Sequence, residues 1–184
     1  MAYEAAINKA WVELSELNPD KGISIRFLKD EYSIGLAAKK VMSLSCNIPA
    51  EDFWVVLILH YLIKKLKGLP ELTGEWVTFN RLSVVDSYYP VFRKRTIEPL
   101  IRKYGSNPQG IFASLENLPS TKVDNLADAA FIVEAFDKVP VLVKLWGKDA
   151  EFEADANILF DRSVTGIFCT EDIVVLAGMV AASL

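Results

Sequence analysis

One histidine and two cysteines are the whole stock of imidazole and thiol in this chain. Its chemistry must therefore be sought mainly among carboxylates, guanidiniums and aromatic rings. His60 stands inside an apolar run and shares a helical face with Phe53, Val56 and Ile63. It could act as an axial ligand to a haem-like cofactor or as a lone general base; the structural alternative is a hydrogen-bonded core histidine. Cys169 directly precedes Thr170, which reads as a helix cap, and a thiol at a helix start can have a lowered pKa. Glu171 and Asp172 stand beside it and oppose a thiolate, so an inert cysteine is expected. Cys46 is far away in sequence, so neither a disulfide framework nor a Cys/His zinc site can be assembled, and no metal site is expected. Asp149, Glu151, Glu153 and Asp155 alternate as in the first half of a calcium loop. Ala154 occupies the position that needs glycine and Phe160 the one that needs a carboxylate, so the reading is a strand with one solvated face.

No G-x-S-x-G, G-x-G-x-x-G, G-x-x-x-x-G-K-[ST] or C-x-x-C sequence occurs, which removes the hydrolase elbow, the dinucleotide loop and the P-loop. The run Tyr88-Tyr89-Pro90-Val91-Phe92-Arg93-Lys94-Arg95, followed by Arg102 and Lys103, mixes rings with cations. Arginine forks suit carboxylate or phosphate, and neighbouring rings suit flat ligands. A patch this short on a chain of net charge −4 does not suit nucleic acid. The candidate binding residues are Arg93 and Arg95 for an anionic group and Trp146 for a flat apolar face. Asp161, Glu171 and Asp172 would orient a partner, and His60 is a further ligand candidate. Asp161 and the Glu171–Asp172 pair have a structural alternative in turn and helix-start duty. No catalytic residue and no particular cofactor is specified.

The elements that must position these groups follow from hydrophobic period. Ala6, Ile7, Ala10, Trp11 and Leu14 repeat at helical spacing, and Asn18-Pro19-Asp20 breaks the helix. From Gly22 the period is two, with Ile23, Ile25 and Phe27, then Tyr32, Ile34 and Leu36, then Met42 and Leu44 turned to one buried face of an antiparallel meander. Pro49 opens the clearest helix, Glu51 and Asp52 sit at its positive end, Lys64, Lys65 and Lys67 at its negative end, and Gly68 stops it. Phe53 to Ile63 is apolar nearly all round, which marks a central helix. Glu75 to Leu82 reads as a strand. Pro90 to Tyr104 reads as helical, with Pro99 kinking it or starting a second segment. Asn107-Pro108 opens a short helix to Leu118. Ala129–Phe136, Val141–Trp146 and Glu151–Phe160 read as strands, and a last helix follows Thr170.

The expected fold class is α+β, one domain over 1–184, with a mostly antiparallel sheet packed against a central buried helix and several peripheral helices. Hydrophobic residues are 52% and charged residues 24% of the chain, a composition that folds rather than stays disordered. Charge is uneven: residues 60–105 carry 9 basic and 4 acidic side chains, and residues 106–184 carry 5 basic and 12 acidic. A basic middle could hold an anion, or the two regions could face each other or simply be solvated. The start lacks the basic and apolar regions of a secretory signal, and the longest uncharged stretches fall short of the roughly 20 residues that span a bilayer. With two unpaired thiols, a cytoplasmic location without membrane contact is expected.

Tyr89 to Leu100, Leu145-Trp146-Gly147-Lys148-Asp149-Ala150-Glu151-Phe152, Ile158-Leu159-Phe160-Asp161 and Thr170-Glu171-Asp172 together resemble an uncharacterised family of anaerobic bacterial and archaeal proteins, a domain of unknown function. The resemblance runs from about residue 20 to the end. It implies an anaerobic redox or one-carbon setting near corrinoid or other tetrapyrrole cofactors, and no activity. Some members of that family are joined to iron–sulfur segments; this chain departs there, since two distant cysteines cannot supply four thiolates. The leading expectation is a non-catalytic binding or accessory module that takes an anionic or tetrapyrrole-like small molecule or an acidic partner protein. Its competitor is a carboxylate/arginine hydrolase or transferase on an anionic substrate, which needs Asp161 or Asp172 to converge with Arg93 or Arg95. A third reading is a subunit whose last helix, slim at Gly178, Ala181, Ala182 and Ser183, docks on a partner.

Overall fold

A computed structural model of the protein describes residues 3–17, 22–82 and 88–184. The Asn18-Pro19-Asp20 break lies outside the described residues. Helix α1 (Glu4–Glu16) buries Ala10, Trp11 and Leu14, packed along α2 (Asp52–Lys67). Between them β1 (Ile23–Phe27), β2 (Asp30–Gly35) and β3 (Lys40–Ser43) form an antiparallel three-stranded sheet. β1 and β2 bury Ile25 and Phe27, then Tyr32 and Ile34, as period two requires. β3 runs one residue out of the expected phase: Val41 and Ser43 are buried, while Met42 is half-buried and Leu44 is exposed. The reason is polar. Asp30 Oδ2 accepts a 2.5 Å hydrogen bond from the Ser43 hydroxyl, which pins that residue inward.

Helix α2 is the central helix the sequence demands. Val55 to Leu59 and Tyr61 to Ile63 are all buried, and Gly68 ends it at φ 106°, a backbone conformation closed to most side chains. Helix α6 (Thr170–Ser183) packs against it. Its N-cap is Cys169 and not Thr170.

The second sheet has five antiparallel strands in the order β4-β8-β7-β6-β5. They are β4 (Trp76–Thr78), β5 (Ser120–Lys122), β6 (Ala129–Phe136), β7 (Val139–Trp146) and β8 (Asp155–Asp161). Both edge strands span only three residues, which limits the open hydrogen-bonding rim. β4 is shorter than the Glu75–Leu82 pattern predicts because α3 (Phe79–Leu82) takes over at Phe79. The Pro90–Tyr104 segment is two helices, α4 (Tyr89–Arg95) and α5 (Ile97–Tyr104). The break is at Thr96, whose buried hydroxyl donates back to the Phe92 carbonyl at 2.7 Å. Pro99 then falls in the first turn of α5, where its missing N–H costs nothing. Pro108–Leu115 is a 3-10 helix instead of an α-helix. The acidic alternation is loop until Asp155, not strand. Asp149 Oδ1 accepts from the Glu151 and Phe152 amides at 2.8 and 2.7 Å, and Lys148 pairs with Glu153 at 2.7 Å.

Candidate functional site

The final helix brings three of the sequence candidates together. Asp172, 6% exposed, occupies the third position of α6 and accepts on Oδ2 from His60 Nδ1 at 2.8 Å and from the Cys169 amide at 3.3 Å. A carboxylate only accepts, so the imidazole donates this bond from Nδ1. Glu171, the next residue back, accepts from the Tyr88 hydroxyl at 2.5 Å and from the Cys169 thiol at 3.3 Å. The Tyr88 bond holds the Glu171 carboxyl below its usual range and raises the tyrosine. Cys169 is pushed up to about 11, first by desolvation at the helix start and then by the adjoining carboxylates. The group is thus a hydrogen-bonded clasp joining α2, the start of α4 and α6, with a protonated thiol that is a poor nucleophile at neutral pH.

The other candidates lie apart. Asp161 is 3% exposed and accepts four hydrogen bonds: Oδ1 from Thr73 N, Thr73 Oγ1 and Ser163 N at 3.0, 3.0 and 2.9 Å, and Oδ2 from Gly74 N at 2.7 Å. Burial raises its carboxyl, but the bonds from Ser163 and Thr73 outweigh burial and bring it down to about 2. Trp146 sits opposite Asp155 on β8, six residues from Asp161. Those two candidates therefore stand at opposite ends of a strand pair, roughly 20 Å apart at the rise of an extended chain. Arg93 and Arg95 project from α4, half-buried and exposed respectively, and form no ion pair among the described residues. Neither arginine forms an ion pair with Asp161 or Asp172 among the described residues, although α4 packs against α6.

What sequence reasoning missed is a cavity of about 530 Å³ between the three-stranded sheet, the start of α2 and the end of α6. Phe27, Tyr32, Trp54, Met179 and Ala182 supply apolar wall, and Asp30, Ser45, Cys46 and Glu51 supply polar lining. Trp54 is the hub of the aromatic part: Phe27, Tyr32 and Phe53 meet it nearly perpendicular, at 81°, 81° and 82°. Its indole Nε1 is buried and has no hydrogen-bond partner among the described residues, a state that costs about 1–3 kcal/mol. Asp30 is fixed by its neighbours. Ser45 Oγ and the Glu31 amide donate to Oδ1 at 2.6 and 2.8 Å, and Ser43 Oγ donates to Oδ2. Burial opposes ionisation of this carboxyl, yet the serine and backbone bonds leave it below its ordinary range. Tyr32 is raised, first by burial and then by Asp30, so its hydroxyl keeps its proton.

Among the described residues no three His, Cys, Asp or Glu side chains gather as a metal site would require, and no helix is long and apolar enough to cross a membrane. These features define an α+β protein with an apolar, aromatic-walled cavity. The chain belongs to the DUF3786 family, a domain of unknown function, which matches residues 8–183. That span takes in α1 from Asn8 onward, so the family extends nearer the start than the resemblance from residue 20 implies. No curated protein and no solved structure matches it.

Proposed function

We propose that the protein is a non-catalytic ligand-binding module whose ligand occupies the cavity beneath the three-stranded sheet. The observation that carries this is the cavity wall itself: a ligand-sized space lined by the rings of Phe27, Tyr32 and Trp54. Small-molecule sites are mostly apolar hollows of roughly 300–1,000 Å³ with a few convergent polar groups. Flat bodies suit these walls, which is the part of the tetrapyrrole-like expectation that the proposal keeps. The setting implied by the family resemblance, accessory to an enzyme of anaerobic redox or one-carbon metabolism, belongs to the same proposal. An anionic molecule or an acidic protein partner at Arg93 and Arg95 is the second reading, favoured by the absence of an ion-pair partner for either guanidinium among the described residues.

The test is a nitrogen-15 NMR titration with quinoline, a flat ring system carrying one acceptor nitrogen. The chain has four tryptophans, and Trp54→Phe identifies the Trp54 indole signal by its loss. Quinoline is expected to shift that signal, because its ring lies beside the Trp54 wall of the cavity, and to leave those of Trp11, Trp76 and Trp146 in place. Ala182→Phe, which fills the cavity from α6, is expected to abolish the response. An unmoved Trp54 signal at saturating quinoline rejects the cavity as the binding site.

A further inference from the structure

Resting on the cavity reading, we infer that the ligand is an organic cation, an amine or amidine attached to a flat apolar body, and not an anion. The charges around the cavity decide this. Asp30 and Glu51 contribute two carboxylates to the lining and Lys29 one ammonium. Asp30 is held ionised by hydroxyl and amide donors that are all internal to the β2–β3 region. It therefore offers a fixed negative charge without needing a cation from the protein. No cation closes on it: Asp30 forms no ion pair among the described residues.

The two helix ends at the cavity agree with this sign. Met179, Ala182 and Ser183 bring the C-terminal, electronegative end of α6 to the wall. Leu184, which closes that helix, directs its carbonyl away to Lys103 Nζ at 2.7 Å and to the Tyr104 hydroxyl. The electropositive start of α2 also lies there, but Glu51 and Asp52 stand on it. The charged side chains of the lining are thus two carboxylates, Asp30 and Glu51, against one ammonium, Lys29. The body of the ligand lies against rings whose faces also favour cations.

Three quinolines of matched shape separate the claims: 4-(aminomethyl)quinoline, unsubstituted quinoline and quinoline-4-carboxylate. Their dissociation constants are read from the Trp54 indole shift in the intact protein. The amine is expected to bind about tenfold more tightly than the carboxylate at low salt, with neutral quinoline between them, and the ratio should shrink as salt screens the charges. Glu51 is exposed and its side chain forms no hydrogen bond or ion pair among the described residues, so Glu51→Gln should fold normally and reduce the amine's advantage severalfold. Asp30→Asn is the weaker variant, because it also loosens the loop that Ser43 and Ser45 hold. Equal binding of the three probes, or preference for the carboxylate, overturns the cation inference while leaving the cavity reading intact. Failure of all three, neutral quinoline included, removes both.

Discussion

Asp161 accepts four hydrogen bonds while only 3% exposed, and three of them come from the Thr73–Gly74 segment that leads into β4. The fourth, from Ser163, opens the 3-10 turn after β8. Asp161→Asn keeps the shape but must set an amide N–H against at least one of these donors. A loss of about 2–3 kcal/mol is expected, which for a chain of this size lowers the melting midpoint by roughly 5–10 °C. The pH dependence has a fixed sign. The carboxyl falls from an ordinary 3.8 to about 2 on folding, so its contribution is complete above pH 4 and is lost as pH falls from there toward 2. Melting curves across that window should decline more steeply for the parent chain than for Asp161→Asn. Equal slopes would mean that another carboxylate governs acid lability. At the same scale, the clasp of Asp172 on His60 explains why a lone histidine survives in a nearly all-apolar helix. It is the one polar residue of α2 between Val55 and Ile63 with a carboxylate facing it from another helix.

Helix α2 shows how far element-level reading reaches. Its apolar girth, its carboxylate start and its lysine and glycine end are all local signals that survive in the structure. Pro49, however, does not open the helix: it is bridged to Met42 of β3, and α2 begins at Asp52 with Glu51 as its N-cap. The strand β3 shows where such reading stops. Met42 and Leu44 satisfy the alternating pattern as well as Val41 and Ser43 do, and what chooses between the two phases is a hydrogen bond to Asp30, thirteen residues away. No window of sequence contains that choice. Ser43→Ala removes the hydroxyl that sets the phase and leaves the Cys46 amide without its 3.1 Å partner. It is expected to cost about 1–2 kcal/mol and to raise hydrogen exchange in β3 and the Ser43–Glu51 loop ahead of β1 and β2. Uniform exchange across all three strands would show that Ser43 contributes only to global stability. The split of α4 from α5 was half legible in the same way: Pro99 announces a boundary, but the break falls three residues earlier, where Thr96 turns its hydroxyl onto Phe92.

At the scale of the whole molecule, the cavity was not legible because its lining is drawn from segments far apart in the chain, 27–32, 43–54 and 179–183. Each reads alone as ordinary core or ordinary turn; only the packing of the small sheet across α2 and α6 makes a hollow of them. That packing runs through a ladder of three near-parallel rings. Phe27 of β1 stacks on Phe136 of β6 at 4.5 Å and 19°, and Phe136 stacks on Tyr61 of α2 at 4.3 Å and 16°. The Leu28 amide adds a 2.8 Å bond to the Ala135 carbonyl beside it. Phe136 thus backs a ring that is itself cavity wall, and it joins both sheets to the central helix. Phe136→Ala is expected to cost about 3–5 kcal/mol, as large-to-small core changes do, and to shift the Trp54 indole signal and weaken quinoline binding. Phe79→Ala is the matched control: Phe79 is 1% exposed and stacks on Phe92 at 4.4 Å, away from the cavity lining. It should destabilise by a similar amount and leave the Trp54 signal in place. If both variants move that signal alike, the change reflects general loosening and the ring ladder does not hold the cavity's shape; if only Phe136→Ala moves it, the join between the two sheets is what keeps the hollow open.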